Sequence, residues 1–328
     1  MNILIWHVHG GYMTPFVQGT HRYLLPATAT EGGRSGFDWP AAAEDVAPER
    51  LRDSDIDLVI LQRPQELEWA ADLLGRKPGR DIPAVYLEHN TPREQVPNAV
   101  HPLADRSDIP LVHVTHFNQL FWDSGLAPTV VVEHGILDPG PLYTGERPAL
   151  GFVVNEPIRR WRVTGTDLVP TFAEVAPVDV FGIAGEELGH HLGLPDRVVH
   201  CGDLAPAQLH AALATRRAYL HPIRWTSLGL SLLEAMHLGM PVLALATTEA
   251  LRAVPPEAGA ISTDVRELVT AAQRLIEDPD EARRRGAVAR EVALQRYGLK
   301  QFLDHWDEVL EDAVAAFRRR HRVVPSPS

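Results

Sequence analysis

The chain has little of what secreted, membrane-spanning or nucleic-acid-binding proteins need. Its 328 residues include one cysteine, Cys201, so no disulfide can form within the chain, and we expect a reducing, cytoplasmic location. The chain carries 31 Lys and Arg against 43 Asp and Glu, a net charge of −12. This balance argues against nucleic-acid partners, because phosphate contacts require concentrated basic side chains. No apolar run approaches the roughly 20 residues that span a bilayer.

The first residues also lack the features of a secretory leader. Residues 1–9 have no basic segment and no small-residue cleavage site, and they predict a first β-strand. At the other end, the basic run 318–322 either touches anionic lipid or complements the C-terminal end of a helix. Because no other basic amphipathic face supports membrane docking, we expect a soluble protein whose membrane association is peripheral at most.

The first half of the chain contains short apolar runs, each followed by a polar or glycine-bearing loop. Such runs are typical of buried parallel strands, and ligands of these sheets gather beyond the carboxyl ends of the strands. The predicted strands are residues 3–8, 58–62, 84–87, 111–114 and 130–132.

A second series of strands follows a Pro/Gly-rich stretch, residues 137–148, which is a suitable linker. Its predicted strands are residues 151–154, 178–182, 198–201, 218–220 and 242–246, with helices such as 206–216 and 265–277 between them. The pattern predicts an α/β protein with two Rossmann-like domains, residues 1–140 and 149–300, facing a central cleft. An amphipathic helix over about 300–320 closes the chain.

The most informative segment is TSLGLSLLEAMHLGMPV, residues 226–242. It predicts a glycine-containing loop, a short helix, a Gly-Met-Pro stop and an apolar strand. A helix start offers unpaired N–H groups and a partial positive charge, so it can hold a diphosphate. Glu234 lies just inside the helix, where its carboxylate can accept hydrogen bonds from a ribose diol. As a whole, the segment resembles the donor site of GT-B glycosyltransferases of the retaining family 4 type.

This resemblance extends in layout over nearly the whole chain and implies a fold and an activity. The expected fold is GT-B, with the C-terminal helix, residues 301–322, crossing back to the first domain. The expected activity is transfer of a sugar from a nucleotide-diphosphate sugar to an unidentified small-molecule or glycan acceptor, with retention and without a metal or cofactor. The donor would bind mainly to residues 149–300 and the acceptor to residues 1–140.

The resemblance also assigns roles at the donor site. Leu230 and Ser231 would present backbone N–H groups to the diphosphate, and Glu234 would bind the ribose. Residues 155–168 occupy the place of the family's Gly-Arg…Lys-Gly segment, but the usual Arg and Lys fall near Asn155 and Thr164.

The three arginines at 159, 160 and 162 can take over the missing charge from displaced positions. We expect Arg160 and Arg162 to stabilise the leaving phosphates; the alternative is a solvated basic loop. Arg224 either adds charge near the phosphates or is an ordinary loop arginine.

The largest departure from the family is at Thr226. The family has two glutamates with seven residues between them; the second matches Glu234 and the first falls on Thr226. The threonine hydroxyl can still hydrogen-bond a sugar, so the loss of the carboxylate either alters sugar preference or reduces catalysis.

In the first domain, Gly10 and Gly11 follow the first strand and permit an anion-binding loop, which in GT-B enzymes lies over the donor phosphates. His89 ends another strand, and the resemblance makes it the main candidate for positioning the sugar or the acceptor. Its alternative is a hydrogen-bonded loop histidine.

Two rival functions stay open, and a metal site is not expected. The 16 histidines form no pattern with metal-ligand spacing. One rival is a GT-B-shaped binding or partner protein without catalysis, favoured by Thr226, Asn155 and Thr164. The other is a sugar-nucleotide epimerase that uses the same fold. Convergence of the arginines with Glu234 on one pocket would favour an enzyme.

Overall fold

The computed structural model describes residues 1–321 and divides into two compact units. Unit 1 comprises Met1–Gly135 and the chain from Leu299 onward, and unit 2 comprises Ile136–Gly298. Residue 322, the predicted end of the last domain, lies outside the described residues together with the rest of the tail.

Unit 1 is built on a parallel sheet of seven strands in the order β3-β2-β1-β4-β5-β6-β7. The strands are β1 (Asn2–Ile5), β2 (Arg22–Pro26), β3 (Ala43–Val46), β4 (Leu58–Leu61), β5 (Ala84–Glu88), β6 (Leu111–His113) and β7 (Thr129–Val131). The helices are α1 (Gly10–Phe16), α2 (Pro48–Leu51), α3 (Glu66–Leu74), α4 (His116–Phe121) and, from the C-terminal segment, α13 (Leu299–Arg320).

Helix α13 completes the core of unit 1. Its residues Phe302, Trp306 and Leu310 recur at helical spacing, are buried, and pack with Tyr12 and Phe16 of α1. The indole Nε1–H of Trp306 donates a hydrogen bond to the Tyr12 hydroxyl over 2.9 Å. The last helix therefore belongs to the N-terminal sheet, although it follows unit 2 in the chain.

Unit 2 is built on a parallel sheet of six strands in the order β10-β9-β8-β11-β12-β13. The strands are β8 (Arg147–Val153), β9 (Val178–Phe181), β10 (Val198–His200), β11 (Arg216–His221), β12 (Val242–Leu245) and β13 (Gly259–Ser262). The α-helices are α5 (Pro157–Thr164), α6 (Val169–Ala173), α7 (Leu188–His191), α8 (Pro206–Leu213), α9 (Leu230–Leu238), α10 (Ala250–Ala253), α11 (Val265–Glu277) and α12 (Pro279–Arg296), and two short 3₁₀ turns, Thr166–Leu168 and Pro256–Ala258, join them.

The inner strands of the unit 2 sheet are buried. Every residue of β9, β11 and β12 is buried, as expected for strands covered on both faces. Two hydrophobic clusters, one on each face of the sheet, fill the space beneath the helices; Tyr219 belongs to one and Leu220 to the other.

Three strands were not predicted from the sequence. β2 begins with exposed Arg22, β3 contains two acidic residues, and β13 is short and only partly buried. They lie at or next to an edge of their sheets, where burial imposes a weaker hydrophobic pattern. Within residues 1–321, no helix combines the length and the apolar character needed to cross a membrane.

Candidate functional site

The strand order of unit 2 reverses between β8 and β11, the two central neighbours of its sheet. In open parallel sheets, ligands bind beyond the carboxyl ends of the strands at such a switch point. Two loops meet there: the one that leads from β8 into α5, and the one that leads from β11 into α9. Both segments were singled out from the sequence.

The C-terminal end of α5 is held in direct contact with the loop before α9 by a glycine. Gly165 has a positive φ of 73°, and a Cβ atom there would lie 1.8 Å from the carbonyl oxygen of Pro222. The backbone N–H of Arg224 donates to the carbonyl of Val163 over 2.9 Å. A side chain at position 165 would therefore separate the end of α5 from this loop, which explains the glycine physically.

The segment after β8 is helical rather than an extended basic loop. Helix α5 starts after Glu156, which has a positive φ of 53°, and is kinked at Trp161, whose φ is 28°. Arg159 is paired with Glu156, with a shortest distance of 2.5 Å between the two side chains. Arg160 is half-buried, whereas the Arg162 side chain is 70% exposed.

Arg162 and Arg224 converge on one carboxylate. The Asp167 oxygens accept two bonds from the Arg224 guanidinium, over 2.5 and 2.9 Å, and one from Arg162 Nη1 over 3.0 Å. Arg224 also donates to the carbonyl of Arg162 over 2.9 Å. Sequence analysis chose both arginines but did not assign Asp167 a role. An acidic residue within five positions of Arg162 was the available signal.

Helix α9 presents an open amino end. Its N-cap is Gly229, which has no side chain to cover the first turn, and residues 229–231 are half-exposed. Within the described part of the chain, the N–H groups of Leu230 and Ser231 have no hydrogen-bond acceptor. The Ser231 hydroxyl is oriented by the Tyr219 hydroxyl, which donates to it over 2.9 Å. The tip can therefore receive an anion.

Glu234 lies on the same helix, one turn beyond the tip. Its side chain is 29% exposed, and the ion pairs among residues 1–321 give it one histidine neighbour, His210, whose Nε2 lies 3.8 Å from the carboxylate. No hydrogen bond engages the carboxylate within that range. A partly exposed carboxylate without a hydrogen-bond donor can accept hydrogen bonds from a ligand hydroxyl pair.

His221, the last residue of β11, lies beneath the tip. It is buried, and burial lowers the pKa of His221 to about 4, so the ring is neutral near pH 7. A Cβ atom on Gly229 would lie 2.7 Å from its Cε1 atom. The neutral ring and the glycine together set the position of the first turn of α9.

The residues at the family's Arg and Lys positions have structural contacts here. The Asn155 side-chain oxygen accepts from the Ile183 N–H over 3.0 Å. Thr164 is buried and its hydroxyl lies 2.8 Å from that of Thr166. Thr226 is half-buried. Positive charge at this switch point is thus carried by arginines outside the usual positions.

In unit 1 the strand order reverses between β1 and β4. Gly10 and Gly11 do not form the expected loop: they are the first two residues of α1. A Cβ atom on Gly10 would lie 2.3 Å from the ring of Phe37, an exposed side chain that would have to move. Their contact with donor phosphates stays a prediction.

His89 lies in a buried aromatic cluster after β5. Its Nε2 atom is 2.8 Å from Gln62 Oε1, and its ring packs edge-on against His9 and Tyr12. Burial lowers the pKa of His89 well below its usual range. A role in positioning the sugar or acceptor stays a prediction.

Beside this cluster lies a cavity of about 760 Å³, which we call the unit 1 cavity. It opens at the carboxyl ends of β1, β4 and β5, and His9, Arg63, Glu88 and Trp122 contribute to its wall. His89 is not among the lining residues, because successive residues of an extended chain point to opposite sides. Sequence analysis found this strand end but selected His89 rather than the preceding Glu88.

Among residues 1–321, no group of three or more His, Cys, Asp or Glu side chains is arranged to hold a metal ion. Metal independence of any reaction stays a prediction.

Comparison with known proteins places these features in a family context. Residues 166–278, which contain Asp167, Arg224 and the whole of α9, match the family model "Glycosyl transferases group 1". No curated protein sequence matches the chain.

Solved structures resemble the chain over nearly its full length. HepE from Anabaena, solved in complex with UDP, has a TM-score of 0.70 and 16% identity, covering 95% of this chain and 99% of its own. Sucrose-phosphate synthase from Thermosynechococcus elongatus has a TM-score of 0.69 and 15% identity, covering 96% and 100%. A glycosyltransferase from Rickettsia africae has a TM-score of 0.70 and 13% identity, covering 95% and 98%.

The predicted fold class is confirmed: the chain has two Rossmann-like parallel sheets and the GT-B fold of these glycosyltransferases. The predicted resemblance to glycosyltransferases is confirmed as well, because residues 166–278 match the group 1 glycosyltransferase family model. The narrower assignment to retaining family 4 stays a prediction.

Proposed function

We propose that the protein transfers a sugar from a nucleotide-diphosphate sugar to a hydroxyl-bearing acceptor. The observation that carries this proposal is the open tip of α9, where two unengaged N–H groups and the Glu234 carboxylate lie on one short helix. The tip would bind the diphosphate, and Glu234 would accept hydrogen bonds from the ribose. The group 1 glycosyltransferase match over this same segment supports the assignment.

The leaving diphosphate gains negative charge as the glycosidic bond breaks, so catalysis needs positive charge beside it. In our proposal Arg224, in the loop before α9, and Arg162, near the end of α5, supply that charge. Asp167 holds both guanidinium groups in place before the donor binds. Arg160, half-buried on α5, is proposed as a third contributor.

We propose a UDP-sugar as the donor. Support comes from HepE, which was solved with UDP and with UDP-glucose and has the same fold. We further propose that transfer proceeds with retention, as in the family the sequence resembles, and that the arginines replace a metal at the diphosphate.

The donor proposal is tested by thermal shift with UDP, GDP, ADP and dTDP and their glucose conjugates. A ligand that binds the native state raises the melting temperature by mass action, and we expect the UDP compounds to give the largest rise. Hydrogen bonds to charged groups contribute about 1.5–3 kcal/mol, so Glu234→Ala should weaken UDP binding roughly tenfold to a hundredfold. Glu277→Ala, at the exposed end of α11, is the matched control and should leave the affinity unchanged.

Two outcomes would contradict the proposal: no nucleotide in the panel shifts the melting temperature, or Glu234→Ala binds UDP as tightly as the wild type. Product analysis separates transfer from epimerisation, because a transferase releases UDP and an epimerase returns a changed UDP-sugar. UDP binding without either product would identify a non-catalytic binding protein. The anomeric configuration of the product, determined by NMR, tests retention, and activity in EDTA tests metal independence.

A further inference from the structure

Helix α8 contains a buried histidine nitrogen that the proposed donor site does not explain. His210 lies in the last turn of α8, and its side chain is 12% exposed. Its Nε2 atom is buried and has no hydrogen-bond partner among residues 1–321. Native proteins leave few buried polar atoms unpaired, because an unpaired atom has lost its hydrogen bonds to water. An unpaired nitrogen at this place therefore requires an explanation.

The Nε2 atom of His210 faces the Glu234 carboxylate. The distance from Nε2 to Glu234 Oε2 is 3.8 Å, which is longer than a hydrogen bond, and α8 packs against α9, which carries Glu234. The terminal torsion of a glutamate rotates over a broad range, so a small movement of the carboxylate closes this gap. A nitrogen that faces a carboxylate oxygen carries the ring proton, because a bare lone pair there would be repelled. His210 is therefore a hydrogen-bond donor directed at the group that we propose binds the ribose.

The pKa values of two more side chains, Tyr219 and His237, respond to the charge of Glu234. Burial, with a smaller contribution from Glu234, raises the pKa of Tyr219, so its hydroxyl keeps the proton that it donates at the tip of α9. Burial lowers the pKa of His237, so this ring is neutral near pH 7, and its proton is on Nδ1, which donates to the Leu233 carbonyl over 2.8 Å. Because both protons are already engaged, the donor available to Glu234 is His210.

An oriented carboxylate is better suited to a ribose than a freely rotating one. The 2′ and 3′ hydroxyls of ribose lie side by side, and a carboxylate accepts from both only when its oxygens are turned towards them. A hydrogen bond from the protein that favours this orientation reduces the conformational entropy lost when the ribose binds. A carboxylate has about four acceptor positions, so one can accept from His210 while the others stay available for the sugar.

We propose that His210 is a positioning residue: in the nucleotide complex its Nε2–H donates to Glu234 and turns the carboxylate towards the ribose hydroxyls. This inference rests on the proposed nucleotide-sugar site and adds to it a residue of α8. Discrimination between ribonucleotides and 2′-deoxynucleotides therefore depends on His210.

Isothermal titration calorimetry of the full chain with UDP and with 2′-deoxy-UDP tests this role. His210→Ala should weaken UDP binding about fivefold and 2′-deoxy-UDP binding less than twofold, because only UDP presents both hydroxyls to Glu234. His210→Gln, whose amide nitrogen can take the place of Nε2, should keep the UDP affinity within about twofold of the wild type. His190→Ala, exposed on α7 of the same unit, is the matched control and should change neither affinity.

A double-mutant cycle tests whether His210 acts through Glu234. In a Glu234→Ala background, His210→Ala should change the UDP affinity less than about twofold, since the carboxylate that it positions is gone. A loss in that background as large as in the wild type would show that His210 acts independently of Glu234, and the inference would be wrong.

The outcomes separate this inference from the proposed function. If the wild type binds UDP but His210→Ala weakens UDP and 2′-deoxy-UDP by the same factor, or weakens neither, His210 has no positioning role and the donor site stands. If His210→Gln loses as much UDP affinity as His210→Ala, the Nε2 proton does not hold Glu234 and the inference is wrong as well. No UDP binding by the wild type would contradict the proposed function and the role of His210 together. Melting curves without nucleotide check that each variant folds, and His210→Leu replaces His210→Ala if the alanine variant does not.

Discussion

The two units have the same kind of switch point but different chemistry at it. In unit 1, the first turn of α1 is covered by Phe37, and the Glu88 carboxylate lines an adjacent cavity. In unit 2, the first turn of α9 is half-exposed, and Glu234 has no hydrogen-bond donor among the described residues. Parallel topology therefore decides where a site forms, whereas the residues at the strand ends decide what it binds.

The largest expected effect is on the stability of unit 1. Trp306→Ala should lower the free energy of unfolding of unit 1 by about 4 kcal/mol, because it empties a buried site in the core. It also leaves the buried Tyr12 hydroxyl without its donor. Chemical denaturation measures the loss, and Leu120→Ala, 79% exposed, is the control with a change within about 0.5 kcal/mol.

UDP binding by the same variant tests whether its effect is confined to unit 1. Since α13 belongs to unit 1, UDP affinity at temperatures where Trp306→Ala is folded should match the wild type. If Leu120→Ala lowered the free energy of unfolding as much as Trp306→Ala does, α13 would contribute no specific packing to unit 1.

A smaller effect is expected from pH, because each unit contains a buried neutral histidine. Burial lowers the pKa of His134 in unit 1 and of His221 in unit 2 to about 4, from an ordinary value of 6.5. Between pH 6.5 and 4 the unfolded chain binds more protons than the native chain, so stability falls as the pH falls. Each histidine should cost roughly 2–3 kcal/mol at pH 4.5 relative to pH 7.

Replacing each histidine separately tests the comparison. His134→Phe and His221→Phe should each reduce the difference in unfolding free energy between pH 7 and pH 4.5, measured by urea denaturation. A difference as large as that of the wild type in either variant would show that the replaced ring is not kept neutral in the native state.

The smallest effect compares the two helix starts. Gly229→Ala brings a Cβ atom against the buried His221 ring and should destabilise the protein by about 1–3 kcal/mol, whereas Gly10→Ala meets the exposed Phe37 ring and should cost less. Only Gly229→Ala moves the tip of α9, so we expect it to weaken UDP binding at least fivefold and Gly10→Ala to weaken it less than twofold. Isothermal titration calorimetry measures both affinities. A larger loss for Gly10→Ala would show that the first switch point contributes more to donor binding.

Much of the architecture followed from the sequence. Helix α11 was predicted with the observed bounds, since its apolar residues recur on one face and Asp264 caps its start. Most central strands were found because burial on both faces requires continuous apolar residues. The edge strands β3 and β13 were missed, since partial exposure permits polar residues and weakens that pattern. β2 was missed because its buried apolar run has only three residues, Tyr23–Leu25, between Arg22 and Pro26.

The sequence by itself determined the two series of parallel strands and the segment that forms the α9 tip, because both depend on local periodicity and helix-start chemistry. Only the tertiary structure decided that Arg162 and Arg224 share Asp167, and that Glu88 rather than His89 lines the unit 1 cavity. These outcomes depend on contacts between distant residues and on which side of a strand end each side chain points. Local sequence patterns do not specify such contacts, because the contacts form only when the loops close and the sheets pack.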